Sequence, residues 1–198
     1  MRRIWKLDQN REASGQGSGH VPLTSLQESQ AAQGIIDLVG EVDGDMAMYV
    51  RHVLAIAQAT GIPEITVLIS SPGGDDHHEL MIYDMISRFR GASTGIVVGE
   101  AFSAACTILQ ACTVRAAYPH ALFLIHDPSA VSVSVDELVD RKKFTELKKG
   151  LLKSQWYSDE ILRERTGRTL GQIRKQCLKE KVMDAEEALA FRLIDKII

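Results

Sequence analysis

An α/β fold with a mostly parallel sheet is what this sequence predicts, and three observations carry the prediction. Short apolar runs closed by turn residues alternate with longer stretches whose apolar residues recur at three- and four-residue spacing. The apolar runs are near-continuous, as in strands covered on both faces. The resulting β-α-β-α-β-α order implies right-handed crossovers.

Taken in order, residues 1–33 are rich in Gln, Ser and Gly, with Ser14-Gly15-Gln16-Gly17-Ser18-Gly19 at the centre and no sustained apolar period, which predicts a flexible arm. Its early apolar cluster, Ile4, Trp5 and Leu7, is either incidental or a short anchor that docks on a neighbour. Order is expected to begin with the strand Ile35 to Gly40. A helix follows, capped by Asp43 or Asp45, in which Met46, Tyr49, Val50, Val53, Leu54 and Ala57 form one face until Gly61-Ile62-Pro63 stops it. Ile65 to Ser70 is a second strand ending at Ser71-Pro72-Gly73-Gly74. A helix from about His77 to Arg90 comes next, with Leu80, Met81, Met85, Ile86 and Phe89 on one side. Gly95 to Gly99 is a third strand, running into a helix over Ala104 to Ala111. Thr113 to Tyr118 and Ala121 to His126 read as further strands.

From about Asp136 to Arg165 the chain is heavily charged with spaced apolar residues, which predicts one long helix or two joined near Gly150. A helix of some thirty residues extends about 45 Å, more than a domain of this size needs for its own core, so its outer part is expected to meet another subunit. Beyond Gly167, Leu170, Ile173 and Cys177 suggest a short helix. Asp184-Ala185-Glu186-Glu187 forms a capping box for a last helix, and Ile194 to Ile198 can close the sheet.

The bulk composition narrows the function classes. With 198 residues, 45% hydrophobic and 25% charged, the chain suits a single globular domain. A net charge of −3 offers no electrostatic case for nucleic acid or an anionic membrane as main partner. Cys106, Cys112 and Cys177 are too few and too irregular for a disulfide framework, which fits a reducing compartment. No apolar run approaches the length of a membrane span, and Arg2 and Arg3 are not followed by a signal core. The expectation is a soluble, cytoplasmic protein.

Chemistry concentrates in three places. Ser103 stands between a strand and a helix, where its Oγ can be held clear of the backbone as a nucleophile or can serve as an ordinary helix N-cap. Gly73-Gly74 stand at one strand end and His126 at another. Serine is a poor nucleophile near neutral pH and needs a base, a role that suits histidine. A tetrahedral intermediate needs amide donors, and Gly74 lets a backbone N–H approach closely. An acid is needed to orient the imidazole. Asp75-Asp76-His77-His78 invites a metal reading, but adjacent spacing does not put ligands on one face, so a polar loop beside bound peptide is expected, with no metal and no cofactor.

At these residues the chain resembles the ClpP family, the self-compartmentalised serine peptidases that form the proteolytic subunit of the Clp protease. The resemblance runs from about Ile35 to Ile198. It rests on Ser71-Pro72-Gly73-Gly74 followed by Tyr83-Asp84, on Gly99 to Ala105 for the nucleophile motif, and on Leu124-Ile125-His126-Asp127-Pro128 for the base. Thr166-Gly167, Gln172-Ile173, Ala185, Glu187-Ala188 and Leu193-Ile194-Asp195 match the last third. The resemblance implies a repeated β-α-β spiral core, shared with the crotonase enzymes, with a long protruding handle helix. It implies an arm over residues 1–33 and a peptidase domain over 34–198, the handle at about 134–166. Ser103 becomes nucleophile, His126 base, the amides of Gly74 and Ala104 the oxyanion hole, and Asp75, Asp76, Pro128 and Ser129 substrate contacts. Aligning Gln172-Ile173 puts Glu180 at the triad acid, with Asp184 and Asp127 as competitors.

The partners implied are further copies of the chain in rings of seven, single or stacked, peptides or unfolded proteins as substrates, and an AAA+ unfoldase that supplies ATP hydrolysis. Several residues depart from the pattern. Ala104-Ala105 replaces Met-Gly, Phe102 is bulkier than usual, and the family's Gly-rich segment after the histidine is replaced by Ser129-Ala130-Val131-Ser132-Val133-Ser134-Val135, which suits a strand able to pair with substrate. The residue at 105 matters if the backbone there requires φ > 0 and not if it lies inside a helix. These departures motivate a second reading, a catalytically weak subunit with an assembly or regulatory role. A third is a crotonase-like acyl-CoA enzyme.

Overall fold

A computed structural model describes residues 23–129 and 133–198. Most of the arm, including Ile4, Trp5, Leu7 and the Ser-Gly run at 14–19, lies outside the described residues, as does the 130–132 part of the Val-Ser segment. The first element is α1 (Ser25–Ala31), which corrects the expectation that order starts near residue 34. Thr24 and Gln27 close a reciprocal capping box, and Gln27 and Ala31 are buried, so local capping and burial order a stretch whose composition alone reads as loose.

The chain continues through β1 (Ile35–Val42), α2 (Gly44–Ala59), β2 (Glu64–Gly74), α3 (Asp76–Ser87), β3 (Ala92–Phe102), α4 (Ala104–Leu109), β4 (Val114–Ala117) and β5 (Leu122–Leu124). Then follow α5 (Val135–Val139), α6 (Arg141–Thr166), α7 (Leu170–Cys177), α8 (Ala185–Phe191) and β6 (Lys196–Ile197). Strands β1-β2-β3-β4-β6 lie side by side in that order, and all their pairings are parallel. Alternate residues of the three long strands are buried, among them Ile36, Leu38, Ile65, Val67, Ile69, Val97 and Ala101, and α2 seals one side with Met46, Val50, Val53 and Ala57.

β3 is the hub. Its first half pairs with β4 and its last three residues pair with β5, Phe102 standing opposite Leu124. It therefore delivers its C-terminal end beside those of β2 and β5, the end of a parallel sheet where ligands bind. Phe123 of β5 is fully buried and makes an antiparallel bridge to Met183, with N–H to O distances of 2.9 and 2.8 Å, which ties the segment before α8 to the sheet.

The charged region is a helix pair, as one of the two expected forms, but the break falls elsewhere. Asp140 ends α5 in extended conformation and caps α6 by accepting from the N–H groups of Lys142 and Lys143. Gly150 sits within the 26-residue α6 and has open space around it, so it interrupts nothing. Only Asp159, Leu162 and Thr166 of α6 are buried. Gly167, at φ 66°, closes the helix in the left-handed conformation that glycine adopts at no steric cost. Among the described residues no helix is long and apolar enough to cross a membrane.

Candidate active site

Ser103 follows the last residue of β3 and precedes α4, with φ 53° and ψ −125°. This is a positive-φ conformation that a side-chain-bearing residue rarely takes, and its side chain makes no capping hydrogen bond to α4. Ser103 thus stands at the N-cap position of α4 without capping it through its side chain. The strain is held by neighbours on both sides. The Ser103 N–H donates to the Leu124 carbonyl at 2.7 Å, and the chain at Gly73 presses so closely that an added Cβ would stand 2.7 Å from both the Phe102 oxygen and the Ser103 Cβ. Gly73, at φ 89°, is thus required by backbone conformation and by space together.

Gly74 meets an equal restriction from the other side, where a Cβ would come within 2.2 Å of the Val42 oxygen. The Gly73 N–H donates to Ser71 Oγ at 3.1 Å, and the Asp75 N–H to the Val42 carbonyl at 2.9 Å. Ala104 opens α4, where the first amides of a helix have no partner within it. Ala105 lies inside α4, buried and without positive φ, so its methyl group is compatible with the backbone.

His126 lies two residues past β5, beside the elbow that β3 ends in. Ser103, Ala104, Gly74 and His126 line one cavity of about 810 Å³, and Asp75, Asp76, Pro128 and Ser129 line it too. Asp75 caps α3 by accepting from the His78 N–H at 2.9 Å. Asp76 accepts from the Ser154 hydroxyl of α6.

The three acids weighed for the imidazole have separate fates. Asp127 is gripped by Arg174, whose Nη1 and Nη2 donate to Oδ1 and Oδ2 at 2.6 and 2.7 Å. Asp184 caps α8, accepting from the Glu187 N–H at 2.8 Å. Glu180 lies on the turn after α7, exposed, at φ 47°, and is not among the residues lining the cavity. The antiparallel bridge of Phe123 to Met183 nevertheless runs the chain back from Met183 through Glu180 as β5 runs forward from Phe123 to His126.

Glu79 is the residue the sequence reading passed over. The side of α3 that packs inward is Glu79, Ile82 and Ile86, with Phe89 beyond the helix end, whereas Leu80, Met81 and Met85 are half-buried. A carboxylate in register with an apolar stripe at positions 79, 82, 86 and 89 was the available signal. Glu79 is 5% exposed, lines the cavity, and accepts from the Ser158 hydroxyl at 2.8 Å. Burial pushes its carboxyl up to about 7; the Ser158 and Thr107 hydroxyls oppose the shift, while Asp76 and Asp75 add to it.

With this geometry in view, comparison with known proteins is informative. The family model described as Clp protease matches residues 23–198. A relative named ATP-dependent Clp protease proteolytic subunit 2 from Corynebacterium jeikeium is 33% identical over 138 residues, 68% of this chain and 63% of its own length. Another of that name from Chlamydia trachomatis serovar D is 36% identical over 140 residues, 68% of this chain and 65% of its own length. A third, from Mycobacterium bovis, is 33% identical over 138 residues, with 68% and 63% covered. The chain thus spans a little under two thirds of the curated relatives it matches.

Proposed function

The chain belongs to the Clp protease family, and on that premise we propose that it is a serine endopeptidase that cleaves peptides or unfolded polypeptides by acyl transfer through Ser103. The observation that carries this reading is the backbone of Ser103, a positive-φ serine at a strand-helix junction with no capping bond, lining a cavity with His126. Such an elbow costs stability of order 1–3 kcal/mol and is characteristic of residues held for chemistry.

In the proposed reaction His126 takes the Oγ proton as Oγ bonds to the scissile carbonyl carbon. The oxyanion receives the amides of Gly74 and Ala104, while the amides flanking Gly74 are committed elsewhere, Gly73 to Ser71 and Asp75 to Val42. The tetrahedral intermediate collapses with cleavage of the C–N bond, His126 protonates the departing amine, and water then hydrolyses the ester by the same route in reverse. Side chains and amides suffice, with no metal or cofactor. Asp75, Asp76, Pro128 and Ser129 contact the peptide. Glu180 orients His126: Asp127 is held by Arg174, Asp184 by α8, and the direction of the Phe123 to Met183 bridge favours Glu180.

The peptidase unit begins with α1 and includes the handle, α5 and α6. We propose that copies assemble into rings, seven to a ring, single or stacked, that a partner AAA+ unfoldase supplies ATP hydrolysis, and that the protein works in the cytoplasm, where a closed chamber keeps a broad peptidase from folded proteins. The acyl-CoA alternative finds no support in the family match; the catalytically weak subunit is the second reading, favoured by the exposure of Glu180 and its place off the cavity lining.

Labelling with a fluorophosphonate tests the chemistry. The wild type is expected to form an adduct that Ser103→Ala abolishes, that His126→Ala slows by roughly a hundredfold or more, and that Glu180→Gln slows less. No Ser103-dependent adduct from assembled protein sinks the peptidase reading, and unchanged rates in Glu180→Gln move the acid's role to Asp184, Asp127 or water.

A further inference from the structure

The cavity that holds Ser103 carries more carboxylate than acyl transfer uses. Asp75, Asp76 and Glu79 reach it from the start of α3, Asp159 from α6, and Glu41 and Asp43 from the end of β1 and the cap of α2. Arg174 is the one Lys or Arg among its described lining residues, and Arg174 is engaged, bidentate on Asp127 and 3.6 Å from Asp159. The field inside is strongly negative, and low-dielectric walls focus it.

Glu79 gives that field a point of application. It is 5% exposed, yet its partners are the hydroxyls of Ser158 and Thr107, and no ion pair among the described residues includes it. Buried carboxylates ordinarily stand beside a cation. Thr107 follows Ala104 by three residues on α4 and lines the same cavity. Glu79 therefore lines the cavity that Ser103 opens into, where a long substrate side chain can enter. A cationic side chain of a bound peptide is one cation that can reach Glu79 through the cavity it shares with Ser103.

We propose that Glu79 is the specificity-determining residue of this site and that the cavity takes the guanidinium or ammonium group of an Arg or Lys on the acyl side of the scissile bond. The inference rests on Ser103 being the nucleophile. Burial, with the neighbouring Asp76 and Asp75, pushes the Glu79 carboxyl up to about 7. A guanidinium replaces the water that burial removed, forms charge-assisted hydrogen bonds with the carboxylate, and meets additional negative charge from Asp75, Asp76 and Asp159. Apolar lining from Leu162 and Ile125 receives the methylene stem.

Peptidyl diphenyl phosphonates that differ only in this side chain decide the matter, read as the rate of adduct formation by intact mass. Ser103 Oγ bonds to phosphorus, phenol leaves with the serine proton, and no turnover is required. The Arg probe is expected to label wild-type protein at least about tenfold faster than the citrulline probe, which has the same shape without the charge, and faster than the Leu probe. In Glu79→Gln the Arg-to-citrulline ratio should fall to about 1–2. Equal rates for Arg and citrulline in the wild type, a Leu preference, or a ratio unchanged in the variant overturns the proposal. Should Glu79→Gln not fold, the wild-type ratio decides the substrate class and Glu79→Asp, with its carboxylate drawn back, is expected to lower the ratio. A simple fluorophosphonate run alongside separates the two failures: if it labels Ser103 and the charge preference is absent, this inference falls and the peptidase reading stands.

Discussion

The sheet with its covering helices and the handle helix α6 answer to different constraints. In the sheet, every long strand buries alternate side chains, and Phe123, Ile36, Leu38, Ile65 and Ile69 are fully enclosed. In α6, 26 residues and about 39 Å long, three residues are buried, while Phe144, Leu152 and Trp156 are exposed. The sheet satisfies its own hydrophobic demand, and the handle does not. Yet the handle's basal half also walls the active-site cavity through Ser154, Ser158, Asp159 and Leu162. One helix thus has a structural end near the candidate site and an apolar remainder that no described residue covers, a surface suited to assembly through the handle.

Phe123 gives the sharpest break of this comparison. Phe123→Ala should cost about 3–5 kcal/mol by chemical denaturation, because it empties a fully enclosed volume at the strand that positions both Ser103 and Met183. A loss under about 1 kcal/mol would mean that the sheet end is looser than its burial implies.

How much of this was readable beforehand follows the same division. The strands and α2, α7 and α8 declare themselves through unbroken apolar runs, spaced apolar faces and capping residues, and the elbow through a serine between two such runs. Helix α1 escaped because its order depends on the Thr24 and Gln27 capping box and on burying Gln27 and Ala31, not on any apolar period. The charged region reads from sequence as one long helix or two joined near Gly150; an exposed glycine costs only about 1 kcal/mol in a helix this long, whereas Asp140 offers an actual cap, and the join falls there, between α5 and α6. Glu79 escaped because its carboxylate lies on the buried side of α3, and only the third dimension supplies the Ser158 and Thr107 hydroxyls that make burial tolerable. The hydroxyl of Ser103 could be read from sequence as cap or nucleophile; the positive φ that separates the two belongs to the folded backbone.

The junction between the two regions is where pH should act. Glu79 on α3 meets Ser158 on α6, and its carboxyl is raised from 4.5 to about 7, chiefly by burial. A raised carboxyl means that the folded state binds more protons than the unfolded one, so this contribution to stability is full below 4.5 and is lost as pH rises through about 7. The stability of the wild type relative to Glu79→Gln should therefore fall by up to about 3 kcal/mol between those limits. Urea melts of the two proteins at pH 5 and pH 8 measure it; parallel profiles would place the pH sensitivity elsewhere.

Trp156 sharpens the comparison from the handle's side, with the smallest expected effect on the fold. At 57% exposure it leaves most of its ring in water, touching Tyr157 edge-on at 5.1 Å between centroids. Trp156→Ala removes little packing within the chain and, measured where the protein is monomeric, should change stability by no more than about 0.5 kcal/mol. Under conditions where the wild type is assembled the same substitution strips a large aromatic from the surface offered to other copies, and aromatic residues at the centre of an interface carry about 2 kcal/mol or more each. Sedimentation velocity across a concentration series reads that difference. A handle that serves only its own domain would show the reverse: a destabilised monomer and an unaltered assembly.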